Sequence, residues 1–154
     1  MNGCRVLGTP VGALPQFGAA AETDADLFIS LHADSIEEKS IADSVRGATV
    51  YTLSDIASDE QARIMADKEN ASDLIAGIGS VNNEGGEEVK NILIDLLKRE
   101  TSNFSADFSN VLSKKLGQAI TMSRIPRKSA AFKVLKQPHA PSVLVELGYM
   151  SNTM

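Results

Sequence analysis

Tryptophan is absent from this 154-residue chain, aromatic residues make up only 5% of it, and there is a single cysteine, Cys4. With so few rings, the core must rest on Leu, Ile, Val and Ala. One cysteine rules out an internal disulfide and any CxxC metal site. No apolar run reaches the length of a membrane-spanning helix. The first twenty residues lack the compact apolar stretch of an export signal, because Gly3, Gly8, Gly12, Gly18, Pro10 and Pro15 interrupt them. An extracytoplasmic role would then need a longer natural precursor. Basic residues do not dominate either. The net charge is -5, which argues against generic nucleic-acid binding.

What is present suits one globular domain. Apolar residues make up 43% of the chain and charged residues 23%. Residues 1–24 hold no clear period and read as a degenerate or disordered segment. From Asp26 to His32 the chain turns apolar and rich in strand formers, as a strand buried on both faces would. Ala48–Leu53 reads as a second strand, Ser142–Leu147 as a third and Ala131–Leu135 as a fourth. Between them lie helices expected from about Ser58 to Ile75, Glu87 to Glu100 and Thr101 to Met122. Strands alternating with helices imply an α/β domain with a mixed, mostly parallel sheet and flanking helices. Ligand sites in such sheets lie at the carboxyl ends of strands.

Two ionisable residues fall at such ends. His32 closes the first strand. It is either a satisfied structural histidine or one ligand of a metal that needs others, since a catalytic zinc takes about three protein donors. Glu146 lies inside the apolar VLVEL strand. It either reaches solvent or a basic partner, or serves as a general base beside a bound water. His139, between prolines, reads as a surface residue. Asp34 reads as a turn former, and Cys4 has no base placed to activate it. Arg124, Arg127, Lys128, Lys133 and Lys136 form a basic stretch that reads as a solvated face and could also meet an anionic polymer.

Four stretches, taken together and in order, carry more. ADLFISLHADS (25–35), RGATVYTLS (46–54), ENASDLIAGI (69–78) and AFKVLKQPHAPSVLVELGYMSN (131–152) resemble the zinc-dependent N-acetylmuramoyl-L-alanine amidases that cut septal peptidoglycan. The resemblance implies hydrolysis of the amide between N-acetylmuramic acid and L-alanine. It implies His32 as a zinc ligand and Glu146 as the catalytic acid/base. It also implies that residues 25–154 form a partial catalytic domain, with a helical regulatory insertion at about 55–128. In the regulated members such an insertion blocks the site with a carboxylate until a LytM-domain activator displaces it. Glu69 is the best-matched candidate, ahead of Glu60, Glu84 and Glu87.

The resemblance is incomplete. A Gly-His-Gly-Gly-like loop and a following zinc-binding Glu are expected ahead of ADLFIS and do not occur here; Glu22 is too close to that strand to serve. Both ends look clipped against the family, so tight zinc binding by His32 alone is not expected. The resemblance places the full-length protein in the periplasm, with peptidoglycan as substrate. The alternative is a catalytically dead fragment that binds peptidoglycan or the activator.

Overall fold

A computed structural model describes residues 25–33, 46–75, 88–136 and 140–148. The elements follow as β1 (Phe28–His32), β2 (Ala48–Leu53), α1 (Glu60–Ile75), α2 (Glu88–Leu116), β3 (Met122–Ala130), a single 3-10 turn at Lys133–Leu135, and β4 (Ser142–Glu146). The strands form one sheet in the order β1-β4-β2-β3. β1 runs parallel to β4 and β2 parallel to β3, while β2 and β4 are antiparallel. The expected α/β class with a mixed, mostly parallel sheet is what forms. Among the described residues no helix is long and apolar enough to cross a membrane.

Side-chain alternation along the strands divides the core in two. On one face Tyr51, Ala130, Phe132 and Leu144 pack against Ala62, Met65 and Ala66 of α1. The Tyr51 and Phe132 rings meet edge to face at 5.1 Å. On the other face Val50, Val143 and Val145 pack against Phe108, Leu112 and Leu116 of α2. β2 and β4 lie between the two layers. Their apolar runs are continuous because neither face meets water.

β1 departs from expectation. Its residues Ile29 and Leu31 are 42% and 66% exposed, so only one face of this strand is well covered. The expected fourth strand is also displaced. Residues 133–135 turn as a 3-10 helix, with Lys136 N–H donating to the Lys133 carbonyl at 3.0 Å. The strand lies earlier, at Met122–Ala130, where Pro126 and several cations masked it. Proline is tolerated there because β3 is at the sheet's edge.

α1 begins close to the expected Ser58, at Glu60. Asp59 accepts a hydrogen bond from the Ala62 N–H at 2.8 Å, the standard N-cap geometry. The two helices expected after it are one. Thr101 does not break the run, because its hydroxyl donates back to the carbonyls of Leu97 and Lys98. Phe104 and Val111, although apolar and spaced for a helix face, are 56% and 57% exposed. A stripe of Ser105, Ser109 and Ser113 is buried instead, and Ser105 Oγ accepts from the Ser142 N–H at 2.9 Å.

The basic stretch is not uniformly solvated. Arg124, Arg127 and Lys136 are exposed, but Lys128 is buried. Alternation along β3 turns Lys128 toward α1. There its ammonium lies 3.2 Å from Asp59 and donates to Gln61. The N-cap of α1 is thus also the counter-ion of a buried lysine.

Candidate functional site

The carboxyl ends of β1 and β4 lie side by side. His32 and Glu146 are register partners in this parallel pair. Neighbouring strands are about 4.8 Å apart, and register partners project from the same face. The Leu147 N–H donates to the His32 carbonyl at 2.9 Å and ties the two ends together. Both side chains emerge on the face that α1 covers, the face of Ser30 and Leu144.

α1 brings Glu69 over this corner. Glu69 Oε2 lies 2.9 Å from His32 Nδ1. The other ring nitrogen, Nε2, is 2.9 Å from Ser30 Oγ. Both nitrogens of His32 therefore have partners. Glu69 is buried, at 6% exposure, and Glu146 is at 1%. Glu146 Oε1 accepts from the Gly148 N–H at 3.2 Å. Gly148 has φ +130°, a conformation that favours glycine and turns its N–H back toward the strand end.

A serine, a histidine and a carboxylate in this order have the connectivity of a nucleophilic triad. Ser30 does not fit that role. It is 4% exposed, in mid-strand, and its hydroxyl is not presented to an incoming acyl group. Its part here is to orient the ring.

A catalytic zinc takes about three protein donors and keeps one position for water. Among the described residues no group of three His, Cys, Asp or Glu side chains is placed to hold a metal ion. His32 and Glu69 touch each other, but both nitrogens of the ring are engaged. In this arrangement the described residues do not by themselves make a zinc site.

A family model described as N-acetylmuramoyl-L-alanine amidase matches residues 16–154. The chain belongs to the N-acetylmuramoyl-L-alanine amidase family. It is 34% identical over 134 residues to the amidase AmiC of Escherichia coli, covering 86% of this chain and 30% of that protein. It is 33% identical over 129 residues to AmiA of Escherichia coli, covering 83% and 43%. With AmiC of Neisseria meningitidis the identity is 30% over 144 residues, covering 93% and 32%. The chain thus spans less than half the length of these relatives.

Of the residues singled out from sequence, His32, Glu69 and Glu146 gather at one end of the sheet. Glu60 does not. It is exposed at the start of α1 and pairs with Arg63. Arg63 holds the Glu60 carboxyl below its ordinary value by hydrogen bonding. Glu84, Glu87, Glu22, Asp34, His139, Cys4 and the segment 1–24 lie outside the described residues. Two further residues bear on the site and were not singled out: Ser30, whose hydroxyl meets His32 Nε2 at 2.9 Å, and Asn70, next to Glu69, whose side chain bonds the backbone of Ala131 and Lys133. Ser30 carried a usable signal, because its two-residue spacing from His32 on a strand puts both on one face.

Proposed function

We propose that this chain carries the hydrolytic corner of a peptidoglycan amidase in a closed state. The substrate bond is the amide between the lactyl group of N-acetylmuramic acid and the L-alanine of the stem peptide. Glu146 acts as general base and then general acid. Its carboxylate takes a proton from the attacking water and returns it to the leaving amine nitrogen. His32 would be one donor to the zinc that the family resemblance implies; the described residues do not complete its ligand set. When bound, the metal would supply Lewis-acid polarisation of the amide carbonyl.

Glu69 is the blocking carboxylate. Its contact with Nδ1 occupies the nitrogen that faces α1, and Glu146 has almost no exposure beneath. The convergence of these three residues at adjoining strand ends is the observation that carries this reading. The place of action is the periplasm, and the element that moves is α1. Displacement of α1 is what a LytM-domain activator would accomplish.

A second reading is favoured by one observation: both ring nitrogens of His32 are spent, and no three-donor metal group forms among the described residues. On that reading the chain binds peptidoglycan or the activator without cutting. Release of stem peptide from purified peptidoglycan separates the two. The amidase reading expects release that Glu146→Gln abolishes; retention on peptidoglycan without any release supports the binding module.

A further inference from the structure

Among the residues of α1 up to Ala71, the buried apolar side chains are Ala62, Met65 and Ala66, while Ile64 is 51% exposed. Polar anchors add to the positioning that this patch supplies. At the start of α1 the anchor is the Asp59–Lys128 pair. Farther along it is Asn70.

The Asn70 side chain spends both ends of its amide on one bend of backbone. Its Nδ2 donates to the Ala131 carbonyl at 2.9 Å, and its Oδ1 accepts from the Lys133 N–H at 2.7 Å. These two groups flank Phe132, which is fully buried. The bend is therefore a rigid reference point. Asn70 directly follows Glu69, and successive helix side chains point about 100° apart. One reaches the bend after β3 while the other reaches His32 at the end of β1. Fixing Asn70 fixes the rotation of the helix about its axis, and with it the place of Glu69.

We propose that Asn70 is the clamp that holds α1 closed, and so the positioning residue for the Glu69–His32 contact. This rests on the reading of Glu69 as the blocking carboxylate. When the clamp opens, the second half of α1 lifts while the Asp59 end stays attached through Lys128.

The test combines amide hydrogen exchange with the side-chain nitrogen NMR signal of His32, on the whole chain. Two variants break the clamp from opposite sides. Asn70→Ala removes the amide. Lys133→Pro removes the N–H donor, and Phe132 already has φ −71° and ψ 120°, the extended geometry a following proline demands. Each variant should speed exchange in the second half of α1 about tenfold, leaving β2 and β4 amides unchanged. The double variant should add little to either single one. In each, the His32 signal should move as it does in Glu69→Gln. Undiminished protection of α1 in both variants would overturn the clamp. So would exchange that rises equally in β2 and β4, since that marks general destabilisation. A His32 signal that responds to Glu69→Gln but not to Asn70→Ala overturns the clamp alone. A His32 signal indifferent to Glu69→Gln overturns the blocking contact itself.

Discussion

His32 and Glu146 stand opposite each other at the carboxyl ends of two parallel strands, and the Leu147 N–H locks those ends together at 2.9 Å from the His32 carbonyl. Two residues remote in sequence thus share one face of one sheet. The pairing is built from backbone hydrogen bonds, so it survives changes to either side chain. Substitutions at His32 or Glu146 can be read as chemical rather than architectural changes.

The buried Lys128 makes its partners unequal. Its side chain is 6% exposed, while that of Asp59 is 31% exposed. Asp59→Ala strands an ammonium away from water and also removes the N-cap of α1. A cost of about 2–3 kcal/mol is expected, discounted for the exposure of Asp59. Lys128→Met leaves Asp59 partly hydrated and still capping, so about 1 kcal/mol is expected. Urea unfolding of the two variants checks the order, and the reverse order would contradict the ion-pair account.

Acid should weaken the same link. Burial works to raise the Asp59 carboxyl, but the Ala62 N–H and the Lys128 ammonium outweigh it and hold the group below its ordinary 3.8. A depressed carboxyl stabilises the fold above its unfolded value and loses that contribution as pH falls through its folded value. Asn caps helices about as well as Asp. The stability gap between the wild type and Asp59→Asn should therefore be constant above about pH 5 and shrink below about pH 4. A gap unchanged from pH 6 to pH 3 would show that charge plays no part.

Gly47 enters β2 at φ +87°, and a Cβ there would lie 2.5 Å from the backbone carbon of Met122. Gly47→Ala must strain its own backbone and push β3 aside. A loss of about 2–4 kcal/mol is expected, from left-handed strain plus the clash. Gly148→Ala meets no atom of the described residues within 4 Å, so only the strain is counted and about 1–2 kcal/mol is expected. Chemical denaturation of both variants gives the comparison.

The sequence patterns were readable where burial was two-sided. β2 and β4 have continuous apolar runs because α1 and α2 cover both faces, and their bounds match the strand signals closely. β3 was hidden because an edge strand tolerates Pro126 and a row of cations. AFKVL looks like a strand because its apolar residues suit one, yet the Asn70 amide takes the backbone groups at 131 and 133 and a turn forms instead. At the site, His32 and Glu146 could be placed at strand ends from local pattern. Their partners in register could not, since strand order is a property of the whole sheet. The Glu69 contact depended on the rotation of α1, which the Asn70 hydrogen bonds to the backbone at 131 and 133 help to set.

The most direct measurement is stem-peptide release from purified peptidoglycan, with zinc supplied, by the wild-type chain, Glu69→Gln, Glu146→Gln and the double variant. Opening the site by Glu69→Gln should raise release at least about fivefold, the lower end of ordinary coupling between sites. Glu146→Gln should cut release by about a hundredfold or more in either background, as loss of a general acid/base does. Equal release from Glu69→Gln and the double variant would contradict the role of Glu146. No release from any of the four would contradict the amidase reading of this chain and leave it as a binding module.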